Sequence, residues 1–265
     1  MNFDKFGLAA LGALTAATPA MGQSTAASPL GLSFTTGVDY SSGDYGATDK
    51  TNILVVPLNA RLSSGDLRVS ATLPYLRIKG PGSVIGGGEG GPIVVDPGSD
   101  LPVTKRSGLG DLSLSATYGV LRQDNAGFDL DLTGRVKLPT ASKAKGLGTG
   151  KADYGVSAEV ARTFGNATPF LSVGYRMPGD PEGINLRNSM TASAGASFAA
   201  GSTVLIASYD YAGRTSANAF DSHSLFGAVS GAATERLNLT GYGTAGLSKG
   251  AADYGLGLLL TLKAL

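Results

Sequence analysis

Charged residues recur at every second position of the stretch FDLDLTGRVKLPT, residues 128–140. Asp129, Asp131, Arg135 and Lys137 fall on one parity, while leucine, glycine and valine fall on the other. Alternate side chains of an extended strand point to opposite faces, so this strand has a charged face and an apolar face. Carboxylates and cations in such a row can neutralise one another as ion pairs, or they can select the polar solutes that pass them. The rest of the chain must decide which face meets water.

Two other groups of residues suggest chemistry but do not support it. The stretch GLGTGK, residues 146–151, is similar to a phosphate-binding loop, but Lys145 stands where a glycine is required and Ala152 where a hydroxyl is required. His223 is the only histidine, and its neighbours are Ser222 and Ser224. Residues adjacent in a strand point to opposite faces, so neither serine can serve as a nucleophile activated by this histidine. A partner would have to come from another strand or loop, and we therefore expect no enzyme.

Composition excludes several classes of function. The 21 basic residues nearly balance the 20 acidic residues, so nothing favours nucleic-acid binding. The chain has no cysteine and one histidine, which leaves no disulfide framework and no support for a metal site or another cofactor. Its 40 glycines in 265 residues are roughly twice the usual share and are spread along the chain. Strands and turns accommodate this content better than helices do.

The N-terminus has the pattern of an export signal. Lys5 precedes the apolar run FGLAALGALTAATPA, which is too short to span a bilayer as a helix. Small residues at Ala20 and Gly22 fit a cleavage site. We expect a signal peptide over residues 1–22 and a mature domain over residues 23–265. Beyond the signal, no run of eighteen apolar residues occurs, so no transmembrane helix is expected.

Alternation of apolar and polar residues with a period of two predicts twelve strands after the signal. Their ranges are 31–41, 51–63, 67–79, 110–121, 128–138, 154–164, 168–177, 188–199, 203–213, 222–230, 236–247 and 254–264. The third strand changes phase near Pro74, which suggests a bulge. Short connections such as SSGD and GNA alternate with longer, glycine-rich ones, the longest being residues 80–109.

This layout predicts an all-β, twelve-stranded, antiparallel up-and-down transmembrane barrel. A soluble sandwich would give the same local alternation, but the export signal, the strand count with its turn asymmetry, and the small or medium-sized apolar side chains of the outward face favour a barrel in lipid. The charged parity then faces the lumen. Its candidate lining residues are Arg61, Arg68, Asp129, Asp131, Arg135, Lys137, Glu159, Arg176 and Asp210. Apolar residues share this parity, namely Ile53, Val55, Phe170, Ile206 and Phe226.

Several motifs carry a family resemblance. They are KLPT at 137–140, GLGTG at 146–150 with Asp153, TPF at 168–170 with GY at 174–175, and LTGYGTAGLSKGAADYGLGLLL at 239–260. The chain resembles, in these motifs, a family of proposed outer-membrane channels or transporters named after the phenol meta-degradation pathway. The resemblance implies a twelve-stranded barrel in a Gram-negative outer membrane that transports aromatic or other apolar compounds. Barrels of this kind usually end in an aromatic residue, whereas this chain ends in TLKAL.

The sequence thus predicts a passive channel for small solutes in the cell outer membrane. Its expected partners are outer-membrane lipid, the barrel-assembly machinery and an unidentified small solute, with no cofactor. Two alternatives stay open: a structural or surface-interaction barrel whose lumen is closed by its own ion pairs, and, third, an outer-membrane lipid hydrolase. The segment 80–109 is expected either to fold into the barrel mouth as a plug or to form a surface loop.

Overall fold

The computed structural model describes residues 30–86, 92–95 and 101–264, and these form one antiparallel β-barrel. The signal predicted over residues 1–22 lies outside the described residues. The strands are β1 Gly31–Gly43, β2 Thr51–Ser64, β3 Leu67–Gly80, β4 Val84–Ile85, β5 Ile93–Val94, β6 Thr104–Leu109, β7 Leu112–Leu121, β8 Asp129–Leu138, β9 Asp153–Ala161, β10 Ala167–Met177, β11 Ser189–Ala200, β12 Thr203–Ala212, β13 Ser222–Ala232, β14 Leu237–Gly246 and β15 Tyr254–Lys263. A short helix, α1 Gln123–Ala126, and a 3₁₀ turn, Lys143–Lys145, lie in two connections.

The sheet closes because the first and last strands pair. Residues Ser33 to Ser42 of β1 face Lys263 to Tyr254 of β15. We call each strand position around the barrel a stave. The fourth stave consists of two strands, since β7 pairs with the first half of β3 and β6 pairs with the second half. The two meet at Gly110, whose amide donates to the carbonyl of Pro74 over 2.8 Å. The barrel therefore has twelve staves, which confirms the predicted fold.

The strands alternate between an exposed apolar face and a buried, largely hydroxylated face. Large apolar side chains are exposed on the outer face, among them Leu58, Leu62, Leu114, Leu132, Val156, Leu171, Leu205, Leu225, Leu239, Leu256 and Leu258. Serine and threonine dominate the inner face, including Ser33, Thr35, Thr72, Ser113, Thr133, Ser193, Ser197, Ser208, Ser230, Thr240 and Thr261. Facing hydroxyls pair across strands, as Thr35 and Thr261 do at 2.9 Å. Such an outer face fits lipid, and the small inner side chains leave space in the interior.

Exposed aromatic side chains lie on the outer face at two levels. Those near the long connections are Tyr154, Tyr175, Tyr209 and Tyr254, and those near the short turns are Phe34, Tyr118, Phe164 and Phe198. Aromatic girdles at both interfaces mark the edges of the apolar band of an outer-membrane barrel, and its short turns face the periplasm. The barrel therefore spans an outer membrane, with the long connections at the extracellular end.

Two local predictions differ from the structure. The sixth stave, β9, ends at Ala161 instead of residue 164, because the chain turns tightly there and the amide of Phe164 donates to Ala167 over 2.7 Å. No bulge occurs near Pro74, since β2 and β3 pair residue by residue from Asn52 and Lys79 to Ser64 and Leu67. The change of phase there reflects Arg77 and Lys79, which are exposed on the outer face. Within the described ranges, no helix is long and apolar enough to cross a membrane.

Candidate functional site

The barrel encloses a cavity of about 210 Å³, here called the lumen cavity. Five charged residues line it, Asp39, Arg135, Arg176, Asp210 and Arg214, together with hydroxyl groups from the surrounding strands and connections. The serine and threonine residues of the lining are Ser41, Thr133, Ser157, Ser172, Thr191, Thr215, Ser222, Ser224 and Thr244. The cavity can therefore hold water and polar solutes.

Arg135 and Arg176 stand at one level of the wall. Arg135 on β8 and Arg176 on β10 both pair with Gly155 of β9, the strand between them. Only a glycine therefore separates the two arginines across the sheet. Arg176 donates from Nε to the hydroxyl of Ser189 and from Nη2 to the carbonyl of Gly213, both over 3.3 Å. These bonds hold the Arg176 guanidinium toward the extracellular end of the barrel.

Two carboxylates lie on other staves of the cavity wall. The hydroxyl of Tyr242 donates to Asp39 over 2.7 Å. Asp210 accepts from the hydroxyls of Ser193 and Ser208 over 2.6 and 3.2 Å. Asp39 is on β1, and the strand order puts β1 across the barrel from β10, which carries Arg176. The cavity therefore has an arginine on one wall and a carboxylate on the opposite wall.

An ion-pair network closes part of the periplasmic end. Asp131 accepts from Arg68 and, over 2.8 Å, from Nη1 of Arg122. The same Arg122 donates from Nε to Asp66 over 2.7 Å. Neither Arg122 nor Asp66 belongs to the predicted set, because both lie in turns, where the two-residue period gives no signal. Asp129, two residues before Asp131 on the same face of β8, accepts from the backbone amide of Gln123 over 3.1 Å.

A second network, here called the extracellular clasp, surrounds Lys137. Its ammonium lies 2.7 Å from Asp153 and 3.1 Å from Asp111, and both Lys137 and Asp111 are buried. The ammonium also reaches the hydroxyl of Thr149 over 3.4 Å. The other oxygen of Asp111 accepts from the amide of Ala141 over 2.8 Å. The clasp thereby fixes the connection 139–152 across the ends of β7, β8 and β9.

The extracellular clasp accounts for motifs that carry the family resemblance. Lys137, Thr149 and Asp153 belong to it directly, and a Cβ atom at Gly148 would lie 2.6 Å from Oδ2 of Asp111. Thr140 accepts from the amide of Leu112 over 2.8 Å. The glycine-rich stretch at 146–150 thus packs against a buried carboxylate, which is a structural role different from phosphate binding.

Part of the connection between β3 and β6, residues 81–86 and 92–95, folds into the extracellular mouth. Its short hairpin, β4 with β5, buries Val84 and Val94 against inward residues of β2 and β3, among them Ile53 and Ile78. The side chain of Arg106 holds the hairpin by donating from Nη2 to the carbonyls of Val84 and Pro81 over 2.8 and 3.3 Å. We call the described parts of this connection, residues 81–86 and 92–95, the mouth hairpin.

Two further connections pack onto the mouth hairpin. Leu147 and Tyr45 belong to the same buried cluster as Val84. Tyr45 has a positive φ of 53°, a conformation that is uncommon outside glycine, and burial raises the pKa of its phenol to about 12. The tyrosine therefore stays neutral at physiological pH and presents an apolar ring to the mouth.

The nine predicted residues thus fall into separate groups. Arg68 and Asp131 meet at the periplasmic end, where Asp129 also lies, Lys137 lies in the extracellular clasp, and Arg135, Arg176 and Asp210 line the lumen cavity. Arg61 and Glu159 face Ser70 and Asp131 respectively in the strand pairing, and each makes a further polar or electrostatic contact. The sequence pattern missed Asp39, Arg106, Asp111 and Arg122.

His223 lies on the outer face of β13. Its Nδ1 is 2.5 Å from the hydroxyl of Tyr209, and its ring packs on that of Tyr211 with the centroids 5.1 Å apart. Ser222 and Ser224 line the lumen cavity on the opposite face of the strand. The histidine is therefore part of an outward aromatic group at the extracellular interface. The parts of the chain that the structure describes contain no cluster of three or more metal-ligating side chains.

The fold is similar to those of solved outer-membrane barrels. An outer membrane channel from Pseudomonas putida F1 matches with a TM-score of 0.67 and 15% identity, covering 88% of this chain and 95% of the channel. The translocator domain of the autotransporter NalP from Neisseria meningitidis matches with a TM-score of 0.46 and 11% identity over 90% of this chain and 89% of that domain. The match to the NalP domain has too low a TM-score to support an argument. The match to the Pseudomonas putida channel shows a shared fold, and at 15% identity it shows nothing more.

Sequence comparison gives the family. No protein among the curated ones matches the chain. A family model described as "Putative MetA-pathway of phenol degradation" matches residues 46–257, which include β2 to β14, the mouth hairpin and the extracellular clasp. Because this match covers most of the barrel, the chain belongs to that family.

Proposed function

We propose that this barrel is a passive outer-membrane channel for small solutes. The observation that carries the proposal is the lumen cavity, a polar space inside a closed barrel with Arg135 and Arg176 on its wall and Asp39 across from Arg176. Charged side chains of both signs around a water-accessible space can orient a dipolar solute and tune which ions pass. The fold shared with a solved outer membrane channel supports this function.

The mouth hairpin supplies the constriction of the proposed channel. It fills the extracellular mouth on the side of β2 and β3, while the lumen cavity extends along β8 to β15 and β1. Pro92 and Val94 of the hairpin line the cavity directly. Movement of the hairpin away from this wall would widen the passage, so we assign it the role of gate.

The solutes of the proposed channel are small and amphipathic. Buried apolar side chains, Phe170 and Phe226 among them, share the inner face with the charged residues. A solute with an apolar ring and a polar substituent would meet partners of both kinds on its way through. Aromatic compounds are one such class, and the family's description supports them.

A structural barrel with a closed lumen is the second candidate. The observation that favours it is the buried cluster at the mouth together with the two ion-pair networks. Under this alternative the charged residues stabilise the barrel, and the long connections act outside the cell. A lipid hydrolase has no comparable support, because Ser222 and Ser224 lie on the face opposite His223.

Biogenesis belongs to the same proposal. Residues 1–22 would direct export and be removed, and the barrel-assembly machinery would insert residues 23–265. The proposal includes no enzymatic reaction and no cofactor, because solutes move down their own gradients.

Single-channel recording in planar lipid bilayers tests the proposal. We expect discrete current steps from the protein purified from outer membranes, and conductance that is severalfold larger when residues 83–94 are replaced by a short glycine-serine linker. A matched control replaces residues 182–185, which belong neither to the cavity lining nor to the buried cluster at the mouth, in the same way and should conduct like the wild type. If both the wild type and the hairpin deletion insert into the bilayer and remain silent, the barrel is not a channel and the closed-lumen alternative holds.

A further inference from the structure

Three basic side chains form an outward cluster at the extracellular end of β3 and β6. Arg77, Lys79 and Lys105 are exposed on the outer face, and Lys79 faces Lys105 directly in the strand pairing. Arg77 lies two residues before Lys79 and therefore points the same way. We call these three residues the basic rim. It is separate from the lumen, because the inward residues of the same strands are Leu76, Ile78 and Arg106.

The basic rim lies just above the lipid-facing band. Tyr75 and Leu109, which are paired with each other, are 44% and 54% exposed on the same face. Lys79 lies four residues after Tyr75, a distance of about 13 Å along the strand and less along the membrane normal, because barrel strands are tilted. Strand β3 has 14 residues, whereas about ten residues suffice to cross the hydrocarbon. An aromatic residue marks the interface, so the basic rim is at the level of the outer-leaflet headgroups.

Like charges in directly opposed positions of a sheet repel each other. Among the residues that the structure describes, no ion pair joins a carboxylate to Arg77, Lys79 or Lys105. The facing ammonium groups of Lys79 and Lys105 would be relieved by an anion between them. A phosphate group suits this position, since it can accept from two ammonium groups and a guanidinium together.

We propose that the basic rim is a binding site for the phosphorylated headgroup of an outer-leaflet lipid. The site combines charge complementarity with continuity to the lipid-facing surface: acyl chains lie against Tyr75 and Leu109, and the phosphates of the same lipid reach Arg77, Lys79 and Lys105. Binding there would also cover the free edge of β6, which has no second strand partner among the described residues. The site does not depend on the proposed channel function.

A simpler role for these residues is protection of that edge. Lysines on an exposed edge strand prevent pairing with another chain and need no ligand. The two roles differ in one measurable property, because edge protection requires only charge, whereas a lipid site requires phosphates on the lipid.

Lipid retention by the protein purified from outer membranes distinguishes these roles. The probe is hexa-acylated lipid A with both phosphates, titrated into the detergent-solubilised barrel and counted by native mass spectrometry. The matched probes are the same lipid without phosphates and phosphatidylcholine. We expect the bisphosphorylated lipid to bind at least about tenfold more tightly than either. Equal binding of the three lipids to the wild type would overturn the proposal, whatever the variants do.

Two triple variants complete the test. Arg77→Gln/Lys79→Gln/Lys105→Gln removes the basic rim, and Lys143→Gln/Lys145→Gln/Lys151→Gln removes the same charge from exposed positions of the connection 139–152. The first should lose the preference for the phosphorylated lipid and the second should keep it, with folding of each checked by the gel-mobility shift on heating. Retention of the preference by a folded rim variant would overturn the site. Single-channel recordings test the channel proposal separately from the lipid site. A barrel that conducts no current but binds the phosphorylated lipid would reject the proposed channel function and leave the lipid site supported.

Discussion

The ammonium of Lys137 lies 2.7 Å from Oδ2 of Asp153, across the pairing of β8 with β9 at the extracellular end of the barrel. The same ammonium is 3.1 Å from the fully buried carboxylate of Asp111. One lysine thus connects the beginning of β9 with the chain just before β7. The connection 139–152 begins and ends at these residues, so the ion pairs determine how that connection closes over the mouth.

Lys137→Met should destabilise the barrel and release the connection 139–152. The substitution keeps the length of the side chain but leaves Asp111 and Asp153 without their cation, and removing one partner of a buried ion pair costs about 3–5 kcal/mol. Urea unfolding in detergent measures the loss, and tryptic cleavage at Lys143 or Lys145 reports the release. Lys151→Met changes an exposed lysine of the same connection and should leave both measurements unchanged. Equal stability of the two variants would show that the clasp contributes little.

Gly257→Ala should disturb the inner wall next to the lumen cavity. The ring of Tyr242 lies over Gly257, where a Cβ atom would be 2.1 Å from its Cζ, and the ring carries the hydroxyl that donates to Asp39. Displacing the ring should cost about 1–3 kcal/mol, as overpacking does in other interiors. Gly241→Ala is the matched control, because a Cβ atom there has open space within 4 Å. Thermal unfolding of both variants checks the difference, and two equal midpoints would contradict this account of Tyr242.

The sequence pattern predicted the barrel well because its signal repeats in every strand. The two-residue period in segments such as residues 112–121 and 129–138 reports which face meets lipid, and closure then follows from the even number of staves. The strand boundaries agree within a few residues. The exception is the fourth stave, where β6 and β7 both pair with β3. Glycine at positions 108 and 110 interrupted the period there, so the sequence assigned the first half of this stave to a loop.

The contacts inside the barrel were less predictable, because the two-residue period indicates which face a side chain points to but not which residue it contacts. Arg68 and Asp131 are separated by 63 residues, and Arg122, which joins them, lies in a turn without any period. Tyr45 was missed because it lies in a connection whose path over the mouth depends on packing between distant segments. Arg106 was missed because it lies on β6, within the segment that the sequence assigned to a loop. The family motif at 137–153 was visible in the sequence, but its role in burying Lys137 became apparent only from the three-dimensional contacts.

Asp131→Asn should weaken the periplasmic end and change ion selectivity. Both Arg68 and Arg122 donate to this carboxylate, so its neutralisation leaves two guanidinium groups with less compensating charge near the exit of the lumen. If the barrel conducts, the reversal potential in a salt gradient should shift toward anions, and the free energy of unfolding should fall by about 1–3 kcal/mol. Asp129→Asn is the comparison on the same face, because Asp129 accepts from the backbone amide of Gln123. An identical reversal potential for wild type and Asp131→Asn would mean that the current does not pass this network.

Arg106→Met should loosen the mouth hairpin and enlarge the proposed channel. Nη2 of Arg106 donates to the carbonyls of Val84 and Pro81, and methionine can replace the stem of the side chain but neither bond. Losing two hydrogen bonds from a charged donor should weaken the attachment of the hairpin by about 3–6 kcal/mol. The apolar contacts that the methionine side chain retains contribute roughly 1 kcal/mol, which is too little to compensate. Open time or conductance in planar bilayers should therefore rise severalfold. Arg162→Met, at a periplasmic turn where the guanidinium lies 4.8 Å from the ring of Phe164, removes the same charge far from the mouth and should leave the current unchanged. An increase in both variants would indicate an effect of net charge, whereas an increase in neither would mean that the apolar cluster around Val84 holds the hairpin without Arg106.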